Sequence, residues 1–211
     1  MYWNTVSEPL REILLELSSN LSFEKFTLVG GTALSLQIGH RQSEDIDLFT
    51  DEVYGSIDMI SLAEILENKY PFYRANIGIP KILGFSCYVG QTQENAVKLD
   101  LFYTDSFVYI VQHIEGVKLA SLEEIIAMKL EVVAHGGRKK DFWDLHYFLE
   151  RYSFEQLFQI YEKRYPYGCD SKSLKLKLID FDLADADFDP KCHLNKSWEL
   201  IKLDFLRTFG V

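Results

Sequence analysis

The chain has few cysteines, no long apolar run and no excess of positive charge, and each absence removes a class of protein. Cys87, Cys169 and Cys192 are widely spaced, odd in number and form no C-x-x-C pair. That excludes a zinc cage and a disulfide framework, and it points to a reducing cytoplasm. No apolar run approaches the ~18 residues that span a bilayer. The opening MYWNTVSEPLREILLELSS does not place an apolar segment after a basic one, so a soluble cytoplasmic protein without a membrane partner is expected. The 22 Lys and Arg are outnumbered by 32 Asp and Glu, for a formal charge of -10. A broadly basic surface that coats nucleic acid is thereby excluded, because such binding depends on cations displacing counterions from phosphates. A local basic groove, or a substrate that arrives with metal ions, is not excluded. The histidines at 40, 113, 135, 146 and 193 have no ligand spacing, and only His40 adjoins a candidate site.

Hydrophobic residues make up 47% of the chain, with 15 Phe and 12 Tyr, enough apolar surface to offset the ordering entropy of a packed fold. The 211 residues suit one α/β unit over residues 1–120 and a helical portion over 121–211. Ser7 with Leu10, Ile13, Leu14 and Leu17 predicts an amphipathic helix ending near Asn20, with Pro9 in its first turn. Ile57, Ile60, Leu62, Ile65 and Leu66 predict a second helix that stops before Pro71. The period then changes to that of strands over 72–79, 85–90 and 96–103, an antiparallel meander whose first connection is Pro80-Lys81-Ile82-Leu83-Gly84. One more short strand is expected within 109–118. Ser121 and Glu124 form a capping box for a helix that Gly136-Gly137 ends. Further helices are expected over 139–151, after Ser153 and over 198–209. The loop-rich stretch 165–197 is the candidate linker.

The densest stretch is FTLVGGTALSLQIGHRQSEDIDLF, residues 26–49. It reads as a short strand, a Gly30-Gly31 turn, one or two helical turns over 32–38 and a second strand from Asp45 to Phe49. Alternation puts Asp45 and Asp47 on one face and Ile46 and Leu48 on the other. Within VKLDLFY, Lys98, Asp100 and Phe102 share a face, and Asp100 is the odd acid in an otherwise apolar strand. Three converging carboxylates repel one another unless cations lie between them, and hard oxygen ligands suit Mg²⁺. Such a set serves two-metal phosphoryl or nucleotidyl transfer. On its own, D-x-D also describes strand-end acids idle in solvent. Gly-Gly before a helix N-terminus favours a phosphate, and equally describes an ordinary turn.

Gly-Gly-Thr-Ala-Leu, then Gly39-His40-Arg41, Ser43 and Asp45-Ile46-Asp47-Leu48-Phe49, resemble the signature of nucleotidyltransferases of the AbiEii/AbiGii toxin type, within the DNA polymerase β-like superfamily. The resemblance continues in Lys98-Leu99-Asp100-Leu101-Phe102, in Lys129 and in Arg138-Lys139-Lys140-Asp141-Phe142-Trp143-Asp144-Leu145. It implies an α/β (α+β) fold with a small mixed, largely antiparallel sheet backed by helices. Residues 1–120 would be the nucleotidyltransferase core, and 121–211 would complete the active-site cleft. It also implies an NTP substrate, Mg²⁺ or Mn²⁺, and transfer of a nucleotide onto an acceptor, with an RNA 3′ end, notably of tRNA, favoured over a protein. Asp45, Asp47 and Asp100 would hold metal, Gly30, Gly31 and Thr32 would hold the phosphates, Lys129 would reach the triphosphate and Asp141 would organise the far wall. Arg41 and Ser43 would be further phosphate contacts. The resemblance implies a toxin of a toxin-antitoxin or phage-defence pair with a cognate antitoxin. The alternative is a non-catalytic nucleotide-binding module acting through a protein partner.

An acceptor surface is less legible. Tyr70, Phe72, Tyr73, Phe85, Tyr88, Phe102 and Tyr103 supply aromatic faces that stack bases without regard to sequence, although most are expected in the core. Lys139, Lys140, Lys163, Arg164, Lys172, Lys175 and Lys177 are the basic clusters from which an RNA groove would have to be built. The acids from Asp180 to Asp189 read as a solvated loop.

Overall fold

The computed structural model describes residues 1–75 and 83–210. The expectations for 76–79 and for Pro80, Lys81 and Ile82 lie outside the described residues. The chain divides into two compact units, Met1–Gln37 with Ser43–Ala120, and Ile38–Gln42 with Ser121–Val211.

The first unit is built on a mixed sheet whose seven described strands are β1 (Thr27–Val29), β2 (Asp45–Thr50), β3 (Phe72–Ala75), β4 (Gly84–Gly90), β5 (Val97–Tyr103), β6 (Gln112–Ile114) and β7 (Val117–Leu119). Their order is β3-β4-β5-β2-β1-β7-β6. The meander β3-β4-β5 is antiparallel as expected. Strand β5 then lies parallel to β2, bringing Asp47 opposite Asp100 and Asp45 opposite Lys98. One face is apolar: Leu28, Ile46, Leu48, Phe85, Cys87, Val89, Leu99 and Leu101 are all buried. Helices α1 (Glu8–Ser19) and α3 (Met59–Lys69) pack on the sheet through Leu10, Leu14, Leu17, Met59, Leu62 and Leu66, also buried. Each fully buried Leu, Ile or Phe contributes about 1.5–3 kcal/mol. The apolar face therefore holds β2 against β5 and leaves the opposite face to the acids.

Two local expectations are corrected. Gly30 and Gly31 are not a turn ahead of the helix but its first two residues, because α2 spans Gly30–Ile38. The single strand expected over 109–118 is a hairpin of β6 and β7. Its turn residues Glu115 (φ 49°) and Gly116 (φ 84°) both have positive φ, the backbone of a two-residue hairpin turn that matches strand twist. Glutamate is a poor cue for that conformation. Here its carboxylate accepts from the N-terminal ammonium and from Trp3 Nε1, the latter at 2.7 Å.

The second unit is helical, with α4 (Leu122–Ala134), α5 (Lys139–Leu149), α6 (Phe154–Arg164), α7 (Ser171–Lys177), α8 (Asp182–Asp185) and α9 (Trp198–Phe209). Ser121 caps α4 by accepting from the Glu124 N–H, and Ser153 with Gln156 forms the capping box of α6. The core gathers aromatic rings around Phe142, with centroids 5.2 Å from Phe181, 5.9 Å from Trp198 and 5.5 Å from Phe205. The stretch 165–197 is no linker: it contributes α7 and α8 and buries Leu174, Leu178, Phe181 and Ala184. Nor is its acid run simply solvated. Asp185 accepts from Trp198 Nε1 and Lys202, Asp180 from Lys177, and Asp189 from Lys139.

Candidate active site

In the first unit, register places the acids. Alternation along β2 and β5 turns Asp45, Asp47, Lys98 and Asp100 to one face, all half-buried. Like charges opposite one another on neighbouring strands destabilise a sheet, so Asp47 beside Asp100 calls for a compensating cation. One is present in the chain: Lys98 Nζ donates to Asp100 Oδ2 at 2.5 Å. The other oxygen, Asp100 Oδ1, is buried without a hydrogen-bond partner among the described residues. No three His, Cys, Asp or Glu side chains among the described residues already converge on a point that could hold a metal ion. As it stands the acid set is a row along two strands.

Helix α2 begins against that row. Gly30 has φ +70°, and a Cβ built there would lie 2.4 Å from Asp47 Oδ2. Only glycine lets the backbone come so close to the carboxylate. Gly30→Ala is therefore expected to displace Asp47 and lower any activity that depends on the row by about 100-fold, with a stability loss of about 1–2 kcal/mol from the left-handed backbone. Steady-state rates and a urea unfolding midpoint check this, and an alanine variant with normal rates would show that the close approach is incidental. Thr32 and Ser43, both buried, hydrogen-bond to each other through their hydroxyls at 2.9 Å. The Thr32 hydroxyl also donates to the Asp45 carbonyl oxygen. The pair thus pins the start of β2 to α2.

In the second unit a buried ionic network centres on Asp144. Arg41 Nε donates to its Oδ1 at 2.6 Å and Arg41 Nη2 to its Oδ2 at 2.9 Å. Lys129 Nζ lies 2.8 Å from Oδ2 and 2.6 Å from Asp141 Oδ1. His40 Nε2 completes the set at 2.7 Å from Asp144 Oδ1. Burial alone would raise the Asp144 carboxyl, but the Arg41 and Lys129 charges, with hydrogen bonds from His40 and Arg41, hold it well below the usual carboxylate range. Burial also acts against the Lys129 ammonium and is outweighed by Asp144 and Asp141, which keep its pKa above the ordinary lysine value. The His40 imidazole goes the other way: burial pushes it below the ordinary histidine value despite Asp144. It is neutral near pH 7, with Nε2–H donating to Asp144. The main chain holds the segment too, since His193 N–H donates to His40 O and Gln42 N–H to Lys191 O.

The sequence-predicted residues therefore fall into two groups. Gly30, Gly31, Thr32, Ser43, Asp45, Asp47 and Asp100 belong to the first unit, and Arg41, Lys129 and Asp141 to the second. Arg41 and Lys129 are only 3% and 7% exposed, cations already engaged with carboxylates. Sequence reasoning named Asp144 and Lys98 within motifs but gave neither a role in the site. Asp144 is three residues after Asp141, one helical turn along the same face, and Lys98 is two before Asp100 in a strand. Those spacings were the available signals. Of the proposed basic clusters, Lys139 and Arg164 are buried, in ion pairs with Asp189 at 2.8 Å and with Glu124 at 2.5 Å.

Comparison with known proteins gives this arrangement a context. The family model described as nucleotidyl transferase AbiEii toxin, type IV TA system, matches residues 12–208. An uncharacterized protein of Aquifex aeolicus (strain VF5) is 25% identical over 207 residues, covering 93% of this chain and 92% of that one. A crystal structure of a candidate nucleotidyltransferase from H. pylori superposes with a TM-score of 0.60 at 23% identity, over 94% of this chain and 88% of that one. MenT4, a nucleotidyltransferase toxin of Mycobacterium tuberculosis H37Rv, gives a TM-score of 0.55 at 13% identity, over 93% and 78%.

Proposed function

Because the chain belongs to the AbiEii nucleotidyltransferase toxin family, we propose that it transfers a nucleotide from an NTP to the 3′ hydroxyl of an RNA, tRNA being the favoured acceptor, with Mg²⁺ or Mn²⁺ held by Asp45, Asp47 and Asp100. The observation that carries this reading is the parallel β2–β5 register, which sets Asp47 against Asp100 on the face shared with Asp45. The donor set fits a hard divalent cation: all three ligands are carboxylates, and Asp100 Oδ1 is a buried oxygen with no hydrogen-bond partner among the described residues. When bound, such ions stabilise charge on the triphosphate and raise the nucleophilicity of a hydroxyl. The new bond joins the acceptor oxygen to the α-phosphorus, the bond from that phosphorus to the bridging oxygen breaks, and pyrophosphate leaves. Asp100 takes the hydroxyl proton. The N–H groups at the start of a helix favour phosphate oxygens, and α2 starts at Gly30 beside the Asp47 carboxylate. Lys129, Arg41 and Asp141 enter the proposal through the family motif.

A single-stranded acceptor is favoured by what continues the row. Register sets Arg74, Tyr88, Lys98 and Asp45 side by side across β3, β4, β5 and β2, so Arg74 lies about 14 Å from Asp45 at the usual strand spacing. Tyr88 is 37% exposed, whereas Tyr70, Phe85 and Tyr103 are buried. Arg74 is exposed and makes no ion pair among the described residues. An aromatic face for a base beside a cation for a phosphate suits a polynucleotide end. Replacing both by alanine is expected to raise the acceptor KM about tenfold, a little over 1 kcal/mol of lost stacking and charge, with kcat unchanged. An unaltered KM would remove the platform from the proposal.

The decisive experiment incubates the purified protein with each labelled NTP, Mg²⁺ and total RNA or cell lysate. Label transfer that disappears in Asp45→Ala is expected. Tight NTP binding with no transfer to any acceptor would instead identify a nucleotide-binding module acting through a protein partner. A type IV toxin also implies a cognate antitoxin gene, and co-expression of the neighbouring reading frame should relieve any growth arrest.

A further inference from the structure

Helix α9 is apolar on two sides, and the fold accounts for one of them. Trp198, Ile201, Phe205 and Phe209 are buried, the stripe that joins the helix to the aromatic core of the second unit. At about 100° per residue the opposite side carries Glu199, Leu200, Leu203, Leu206 and Arg207. The three leucines are 49%, 40% and 47% exposed, and the charged side chains of Glu199 and Arg207 more so. Single exposed leucines are ordinary on a protein surface. Three in a row on one helix face are a second apolar stripe, where a solvated face would be polar.

The stripe has the same order of apolar and charged residues read from either end. Leu200 and Leu206 stand three residues either side of Leu203, and Glu199 and Arg207 stand four, with opposite charges. We propose that this face is a self-association surface, and that its occupant is α9 of a second copy, antiparallel, on a twofold axis at Leu203. A twofold contact is isologous, so the face meets itself. Antiparallel pairing sets Leu203 against its own counterpart and brings each Leu200 level with Leu206 of the other copy. It also brings each Glu199 level with the other Arg207, about 12 Å along the axis from its own at 1.5 Å per residue. Both side chains are long enough to cross a seam between helices whose axes lie about 8–10 Å apart. Parallel pairing would set like charges level with like. A second copy suits the face better than a basic partner, because the stripe sums to zero charge on a chain of net charge -10. Glu199 now lies 3.3 Å from Lys202 and Arg207 3.8 Å from Asp204, but such i, i+3 pairs at a surface hold little and are readily exchanged. An interface of this size falls below the roughly 1,200 Å² of standard complexes, so the dimer is weak, with a Kd on the order of 100 µM. Nothing in this inference depends on the nucleotide chemistry proposed above.

The test is sedimentation equilibrium of the full chain at concentrations from about 10 to 500 µM, which bracket that Kd. The mean mass is expected to rise from that of the monomer towards that of a dimer. Leu203→Asp sets two carboxylates against each other on the axis and should weaken association at least about tenfold. Glu199→Arg and Arg207→Glu leave the leucines in place, and each should weaken association about threefold or more by making level charges alike. The double variant carrying both restores opposite charges and should recover most of the wild-type affinity. Circular dichroism shows that the helix is intact in each variant. A monomer at every concentration would overturn the proposal, as would a Leu203→Asp variant that associates like wild type. A double variant no tighter than the single ones would overturn the antiparallel pairing. A monomeric wild type that binds the product of the neighbouring reading frame through Leu203 would assign the face to that partner and overturn the proposal as well.

Discussion

Asp100→Asn is expected to slow nucleotide transfer by about 10³-fold while leaving the fold intact. The substitution keeps the shape of the side chain and removes its charge. Asparagine cannot balance the Lys98 ammonium, it offers a weaker ligand to a divalent ion, and it cannot accept the proton of an attacking hydroxyl. Its cost in stability is small by comparison. The Lys98–Asp100 pair is only partly buried, with side-chain exposures of 31% and 15%, and pairs near a surface contribute roughly 0–1 kcal/mol. Losing that pair is also partly offset by relief of the repulsion with Asp47 across the strands. Single-turnover transfer and a urea midpoint separate the two effects. A variant that is folded and within tenfold of the wild-type rate would show that the third acid is not part of the chemistry.

Asp144→Ala should behave in the opposite manner, with its main effect on stability. Removing the carboxylate strands the Arg41 guanidinium and the Lys129 ammonium in a unit where both are buried, and breaking a buried pair in this way costs about 3–5 kcal/mol. The exposed pair of Lys177 and Asp180 provides the control, because Asp180→Ala is expected to cost less than about 1 kcal/mol. Chemical denaturation of both variants decides the matter, and equal midpoints would mean that the Asp144 network holds nothing together.

The same network sets a dependence on pH. Asp144 has a folded pKa well below its ordinary value of 3.8. Its contribution is therefore present in full above the unfolded value and is lost as pH falls through the folded one. His40 acts earlier. Its folded pKa lies below the ordinary value of 6.5, so on acidification the unfolded chain takes up a proton that the buried imidazole refuses. Stability should begin to decline below about pH 6.5, well above the range in which Asp144 titrates. His40→Asn should flatten that first decline and leave the second.

Much of this molecule was legible in its residues. The Ser7, Ser121 and Ser153 caps mark helix starts because a side-chain oxygen satisfies an orphan N–H wherever the helix is placed. The alternation in DIDLFT and VKLDLFY separates acids from core because strand geometry is local. Gly30 was recognisable as a special position, although its positive φ at the first residue of α2 was not, since nothing in Gly-Gly distinguishes a turn from a helix start. Glu115 in the β6–β7 turn was hidden because a tertiary contact with Trp3 supports a conformation that its own preference does not.

The local pattern by itself determined that Asp45 shares a face with Asp47, that Lys98 shares one with Asp100, and that Asp141 and Asp144 lie one turn apart. Only the tertiary structure decided that β5 pairs with β2 in parallel and in the register that makes Asp47 the neighbour of Asp100. It also decided that Arg41 and Lys129 are consumed by Asp144. The physical reason is range. Periodicity and capping act over a few residues, whereas strand partners 53 positions apart and an ion pair between residues 41 and 144 are selected by which apolar faces bury together, a property of the whole chain.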